Sequence, residues 1–369
     1  RGRCNMVNNK GEFWRSTLAG AEHIGLYYSL PMAYRGTPIR LTEWTSCGGC
    51  AAKWGASLLS ELVAEMPGSL DKSLLVGLAP FDDAAVYQVS PDVALVSTTD
   101  FFPPLVDDPE DFGAIAAANA CSDVFAMGAH VVMAINVAAF PEHFPHDAIS
   151  AIFGAASKVV TEAGGTIAGG HTIRNPEPIF GLAATGYVHP NEIWRKTGMA
   201  DGDLLMLSKP LGVGVLLSTR EQSDEETALA QMKISNLSAR NSLVQLGSAV
   251  HAVTDVTGFG LIGHLSEMLG TSFLNAQVNL PSQAVLPQAQ SLFDSGKRTS
   301  ADARNRDALD REVLGLTQSH SQAALFDPQT NGGLLASIAP EFEIQLVEQG
   351  FITVGKVVTG SGKIEVLSN

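Results

Sequence analysis

The chain has 369 residues, 45% of them hydrophobic and 17% charged, and a net charge of -15 at pH 7. That length allows two domains, each with its own core, and the composition is too apolar for a disordered chain. The acidic balance opposes an extended nucleic-acid surface, and no run reaches the roughly 18 to 20 apolar residues of a membrane span; the densest, Val131 to Phe140, contains Asn136.

Residues 1–40 mix Arg, Asn, Gly and aromatics without a sustained period and read as a tail or linker without an assigned fold or role. Arg1 in place of methionine is expected of numbering that starts inside a longer product. Four cysteines, Cys4, Cys47, Cys50 and Cys121, with no secretory leader in view, fit a reducing compartment, so a cytoplasmic protein is expected.

Ser46 to Lys53 is the most reactive-looking segment. Lys53 lies three residues beyond Cys50, where one helical turn brings ammonium near sulfur and favours thiolate. Cys47 and Cys50 also make half of a zinc site or a dithiol pair, and an inert loop cysteine is the bland alternative. From Gly55 the spacing of Leu58, Leu59, Leu62, Val63 and Met66 predicts a helix that Pro67-Gly68 ends. Asp82-Asp83 falls in a loop, where an acidic pair is more often solvated than metal-binding.

Ala84–Val86 and Ala94–Thr99 read as strands, the second delivering Asp100 at its end. Phe112 to Met127 predicts an Ala-rich helix stopped by Gly128, with Asn119 and Asp123 on one face and Cys121 on nearly the opposite one. A carboxylate on a largely buried helix needs a partner such as Mg²⁺. A strand over Val131–Ala139 and a helix over Ala148–Ala163 follow. Gly169-Gly170-His171-Thr172 and Asn331-Gly332-Gly333 offer amide donors suited to phosphate, although ordinary turns use such glycines constantly.

Ile179–Val188 and Leu204–Ser208 read as strands, with a turn at Asp201-Gly202-Asp203 and a domain boundary near 190–200. Glu221 to Glu226 reads as a polar, exposed stretch. Around Asp255 the pattern is strand, turn, helix; the last strands fall at Ile352–Val358 and Ile364–Leu367. No short-period repeat and no G-x-x-x-x-G-K-[ST] phosphate loop occurs, so an ATP site here is of another design.

Taken in order, these segments resemble selenophosphate synthetase (selenide, water dikinase). Cys50-Ala51-Ala52-Lys53 is similar to the family's Cys/Sec-x-x-Lys signature. Asp82 to Tyr87, Thr98 to Phe102, Asn119 to Asp123, Gly169 to Thr172, Pro176 to Gly181, Thr254 to Gly260 and Asp327 to Gly333 resemble its later blocks. The resemblance begins near Leu41 and departs at Pro80-Phe81, where more polar residues are expected.

The resemblance implies a two-domain α/β fold of the aminoimidazole ribonucleotide synthetase-like (PurM-like) type, with sheets of two subunits joined in a barrel across a homodimer. It implies an N-terminal ATP- and Mg²⁺-binding, dimerising domain over residues 41–195 with a mobile Cys-Lys loop, and a C-terminal α/β domain over 196–369. It implies conversion of ATP, selenide and water into selenophosphate, AMP and phosphate for selenocysteine and selenouridine synthesis. By position, Cys50 is implied as catalytic and Lys53 as contacting nucleotide or developing charge. Asp83, Asp123 and Asp255 are implied as Mg²⁺ ligands. Asp82, Asp100, Asp123, Gly170, His171 and Thr172 are implied at nucleotide sites, the last three serving the partner subunit. A selenium-delivering protein is a further partner to expect, with no nucleic acid and no membrane.

Two rivals differ in class. Another kinase or synthetase of the same architecture, such as thiamine-monophosphate kinase or the purine-pathway enzyme, shares the acidic positions without needing Cys50-x-x-Lys53. A redox or zinc module on Cys47 and Cys50 leaves the carboxylate series unexplained.

Overall fold

The computed structural model describes residues 39–45, 71–78, 82–309, 311–316 and 320–367. The predicted helix from Gly55, Pro80-Phe81, and the candidates Cys47, Cys50 and Lys53 lie outside the described residues.

Two mixed sheets organise the chain. The first contains β1 (Leu74–Val76), β2 (Ala85–Ser90), β3 (Val93–Phe102), β4 (His130–Phe140), β5 (Thr166–Arg174) and β6 (Ile179–Val188), in the spatial order β1-β2-β3-β6-β4-β5. Only β4 and β5 run parallel. Two helices, α1 (Pro109–Ala126) and α2 (His146–Glu162), belong to this half. Asp108 caps α1 by accepting from the amides of Glu110 and Asp111, and Pro109 occupies the first turn, where its missing N–H costs nothing.

Helix α1 is buried nearly all round because it packs on β3, β6, α2 and also the second half of the chain. Its small residues permit that approach: a Cβ at Gly113 would lie 2.2 Å from the Ile152 carbonyl oxygen of α2. Strand alternation sorts the sheet faces. Ala94, Val96, Asp100 and Phe102 of β3 turn inward, whereas Leu95 and Phe101 remain exposed on the other face with Tyr87, Val89, Ile135, Ile173 and Tyr187. Asp100 thus lies inside β3, opposite Leu182 of β6, two residues before the strand ends, rather than at its tip as the sequence predicts.

The second sheet contains β7 (Leu204–Leu207), β8 (Val250–Asp255), β9 (Leu274–Val278), β10 (Val313–Leu314), β11 (Leu334–Ile338), β12 (Ile352–Thr359) and β13 (Ile364–Val366), in the order β10-β13-β9-β12-β7-β11-β8. Four of its helices are α3 (Val213–Thr219), α4 (Gln222–Met232), α5 (Leu237–Val244) and α6 (Gly260–Leu269). The polar stretch Glu221–Glu226 enters α4, which buries only Ala228 and Met232; Glu221 and Glu226 are exposed, and Asp224 and Glu225 are half-buried. The two sheets are linked by residues 189–203, across which the predicted boundary falls. No described helix is long and apolar enough to cross a membrane.

Candidate metal and nucleotide site

Three carboxylates from distant parts of the chain meet where α1 touches the second sheet. Asp83 precedes β2, Asp123 lies on the last turn of α1, and Asp255 ends β8. One oxygen from each lies within 4.8 Å of the other two. This is the only such group among the described residues.

Every one of these carboxylates is held by a hydroxyl. Thr254 Oγ1 donates to Asp83 Oδ1 at 3.1 Å, Thr98 Oγ1 to Asp123 Oδ2 at 2.6 Å, and Ser122 Oγ to Asp255 Oδ2 at 2.6 Å. Asn236 Nδ2 in turn donates to Ser122 Oγ at 2.8 Å and to the Gly332 carbonyl at 2.8 Å, so the serine hydrogen is left to Asp255. Asp83 Oδ2 is buried with no hydrogen-bond partner. Burial first, and then the neighbouring acids, push the Asp83 and Asp123 carboxyls well above the usual carboxylate range; Lys196 opposes this at Asp83, and the Thr98 bond opposes it at Asp123. A convergent set of oxygen donors with an orphaned buried oxygen fits a hard divalent cation.

Asp82 turns away from this convergence. Its Oδ1 accepts the Asp83 amide at 3.0 Å, and both its oxygens lie 3.3 Å from the Lys196 amide nitrogen. Burial raises the Asp82 pKa, while that amide contact and the charges of Lys196 and Arg195 oppose the rise. A cleft of about 360 Å³ opens beside the pair, lined by Leu74, Gly77, Leu78, Ala84, Ala85, Ser97 and Thr98.

Asp100 is held from the same helix face as Asp123: Asn119 Nδ2 donates to Asp100 Oδ2 at 2.5 Å. Asn119 Oδ1 accepts the Asn331 amide at 2.7 Å, which ties α1 to the loop before β11. Cys121 faces away into the core, and burial pushes its thiol up to about 12. Asn331 therefore has no free amide to offer phosphate, contrary to the expectation for Asn331-Gly332-Gly333, and Gly332 and Gly333 are buried. Asn331 is buried at positive φ, its amide is taken by Asn119, and Lys209 Nζ donates to its carbonyl at 2.7 Å. Gly332 and Gly333 lack a Cβ for packing reasons, since one would meet the Val256 oxygen at 2.0 Å and the Lys209 nitrogen at 2.5 Å respectively.

Gly170, His171 and Thr172 do not join this site. They lie on β5, the sheet edge, paired with Asn136, Val137 and Ala138 of β4, and they are exposed. Two strands, β6 and β4, separate β5 from the β3 strand that carries Asp100, a distance of roughly 14 Å at ordinary strand spacing.

Sequence reasoning missed the groups that orient the carboxylates. Thr98, Ser122 and Thr254 stand inside the recognised segments, yet residue type alone does not reveal which oxygen each hydroxyl holds. Asn236 and Lys196 carry no local signal at all.

Comparison with known proteins agrees with this architecture. The family descriptions "AIR synthase related protein, N-terminal domain" and "AIR synthase related protein, C-terminal domain" match residues 81–188 and 200–366. Selenide, water dikinase of Paraburkholderia xenovorans is 41% identical over 349 residues, covering 90% of this chain and 98% of that protein. The enzyme of the same name from Myxococcus xanthus is 41% identical over 307 residues, covering 81% and 87%. Among solved structures, AaThiL complexed with AMPPCP and TMP superposes with a TM-score of 0.64 at 18% identity, covering 84% of this chain and 93% of that one. Hydrogenase maturation protein HypE in complex with ATP gives 0.55 at 17% identity, covering 88% and 93%. The latter two likenesses establish the fold alone.

Proposed function

We infer the chemistry of the site from one premise: the chain belongs to the selenide, water dikinase family, at 41% identity over 90% of its length. The protein is accordingly an ATP-dependent enzyme that converts selenide, ATP and water into selenophosphate, AMP and phosphate. The rival kinases share its fold at far lower identity, so the sequence relatives and not the architecture decide the substrate.

Asp83, Asp123 and Asp255 are the residues we assign to Mg²⁺. The observation that carries this is the pattern of held and bare oxygens: three hydroxyls fix one oxygen of each carboxylate, and Asp83 Oδ2 has no partner of the chain's own. A bound Mg²⁺ supplies positive charge against the triphosphate and the transferred phosphoryl group. The chain's own part is orientation. Thr98, Ser122 and Thr254 limit rotation of the carboxylates, and Asn236 fixes Ser122, so the donor set is formed before ligand arrives.

Asp100, steadied by Asn119, and Asp82, beside the cleft, are assigned to the nucleotide. Asp123 is assigned to both metal and nucleotide. Cys50 and Lys53 are assigned to selenide handling and phosphoryl charge, with Lys53 keeping Cys50 as thiolate. The domain division is proposed at 195/196, within the segment that links the two sheets.

The active form is proposed to be a homodimer whose sheets join through the uncovered face of the first sheet. That face exposes Tyr87, Val89, Leu95, Phe101, Ile135, Ile173 and Tyr187, each 39% or more accessible. So many large apolar groups on one sheet face mark a protein-binding surface. A second copy there would bring Gly170, His171 and Thr172 of one subunit toward the nucleotide of the other, consistent with their separation from Asp100 within one chain.

Anaerobic incubation with ATP, Mg²⁺ and selenide, followed by phosphorus NMR, tests the reading. Selenophosphate, AMP and orthophosphate in equal amounts are expected; ADP accumulation without a phosphorus–selenium species contradicts it. Light scattering should show a dimer, and a fully active monomer would remove the sheet-face assembly.

A further inference from the structure

The acidic cluster has a cation of the chain's own buried against it. Lys196 is 7% exposed, and its Nζ lies 3.1 Å from Asp83 Oδ1 and 2.9 Å from Glu267 Oε2. The ammonium is therefore shared between a carboxylate assigned to metal and one outside that set.

The surroundings fix both ends of this bridge. Next to Lys196, the Arg195 carbonyl accepts the Val253 amide of β8, and Arg195 Nη2 donates to the Leu75 carbonyl, so the segment is pinned to the strand that carries Asp255. On the other side, Glu267 belongs to α6 and lies 3.2 Å from His264 Nδ1. The Thr257 amide donates to His264 Nε2 at 3.0 Å, which makes Nε2 the acceptor and places the ring proton on Nδ1, pointing at Glu267. Glu267 is thus an oriented acceptor that already holds the lysine.

Three carboxylates with oxygens within 4.8 Å repel one another when no divalent ion is bound. Asp83 Oδ1 meets both the Lys196 ammonium and the Thr254 hydroxyl, whereas its Oδ2 meets neither. Countercharge and open coordination are divided between the two oxygens of one side chain.

We propose that Lys196 is the built-in countercation of this metal site: it neutralises Asp83 while the site lacks a divalent ion and passes its charge to Glu267 when that ion takes up Asp83. The exchange requires only that one of two existing contacts lengthen. It keeps the carboxylates in place without the metal, and it weakens metal binding, because the incoming ion is repelled by an ammonium seated on the same carboxylate. Lys196 and Glu267 are positioning residues and do not touch the reacting atoms.

This inference rests on the assignment of Asp83, Asp123 and Asp255 to metal, and one titration tests the two separately. Mn²⁺ is titrated by electron paramagnetic resonance, without nucleotide, into full-length wild type, Asp123→Asn, Lys196→Met and Glu267→Gln. Wild type is expected to bind Mn²⁺ stoichiometrically and Asp123→Asn to lose it. Lys196→Met is expected to bind about tenfold more tightly, because one cation has left the site. Glu267→Gln is expected to bind about threefold more weakly, because the ammonium loses the acceptor that draws it off Asp83.

Melting temperatures separate this role from simple packing. Lys196→Met should fall below wild type without metal and recover toward it at saturating Mn²⁺, whereas a merely structural lysine lowers both by the same amount. Wild-type or weaker Mn²⁺ binding in a folded Lys196→Met overturns the proposal. If that variant does not fold, unchanged or tighter binding in Glu267→Gln overturns it. Binding that persists in Asp123→Asn removes the metal assignment itself, and this inference with it.

Discussion

Asp203 is a buried acid and the Asp83–Asp123–Asp255 cluster a partly buried one, and the chain treats them in opposite ways. Asp203 is 2% exposed and saturated. His251 Nδ1 lies 2.9 Å from each of its oxygens, Ser337 Oγ donates to Oδ2 at 2.6 Å, and the Ala200 amide donates there at 2.8 Å. That carboxylate joins the 201–203 turn to β8 and β11, and its hydrogen-bonding needs are met locally. The cluster has three carboxylates close together, one hydroxyl on each, and an oxygen of Asp83 with none. A carboxylate that completes its own bonding serves the fold; a convergence of acids that leaves one oxygen unpaired is the pattern expected of a ligand site.

The contrast is sharpest in the largest expected effects. Replacing Asp83, Asp123 or Asp255 with Asn should lower selenide-dependent ATP turnover by more than about 100-fold, if each is the metal ligand proposed above rather than a supporting group. Thermal unfolding of Asp123→Asn and Asp255→Asn without metal should stay near wild type, because like-charge repulsion is relieved. Asp203→Asn should do the reverse: a loss of about 2–4 kcal/mol in stability, with turnover per folded molecule retained. Wild-type turnover in the cluster variants, or a stable Asp203→Asn with no activity, would break the comparison.

The holding hydroxyls should give intermediate effects. Ser122→Ala, Thr98→Val and Thr254→Val each leave a carboxylate free to rotate, and metal affinity should fall by about 10-fold to 100-fold. Isothermal titration with Mn²⁺ reads this directly, and unchanged affinity in all three would show that the carboxylates are oriented by something else.

Asp327 sharpens the comparison at its smallest scale. It is 2% exposed; its Oδ2 accepts from the Gly214 amide and Gln329 Nε2, each at 3.0 Å, while Oδ1 is buried without a partner. It resembles the cluster in having a bare oxygen but belongs to no metal-like group of acids among the described residues, so a proton is the available answer: burial pushes its pKa up to about 7. That value exceeds the unfolded one of about 3.9, so the folded state binds more protons between the two, and this group's contribution to stability falls as pH rises through that window. Asp327→Asn should remove about 2 kcal/mol of the stability change between about pH 5 and pH 7, measured by urea unfolding. An identical pH profile in the variant would mean that Asp327 is ionised in the fold throughout.

The parts of this account that the sequence made legible are those with local signatures. The Ala-rich period of α1 and the four-residue spacing of Asn119 and Asp123 predicted a shared helix face, and both residues do reach the same region. Asp255 at the end of a strand was readable from Val253-Thr254 and the glycines that follow. The strands β5 and β11 were not. β5 contains Gly169-Gly170 at an exposed sheet edge, and β11, Leu334–Ile338, is buried at every position, so neither shows a period of two. The misreading of Asn331-Gly332-Gly333 has the same root, because a glycine pair required by close packing looks in sequence like one that admits a phosphate.

We propose that Asp83 Oδ2 and one oxygen each from Asp123 and Asp255 take a divalent ion together. Crystals grown with Mn²⁺ and a non-hydrolysable ATP analogue, measured for anomalous scattering, test it most directly. An anomalous peak is expected within coordination distance of Asp83 Oδ2 and of oxygens from Asp123 and Asp255. Mn²⁺ bound to the nucleotide elsewhere, with the three carboxylates bridged only by protons or water, would contradict it.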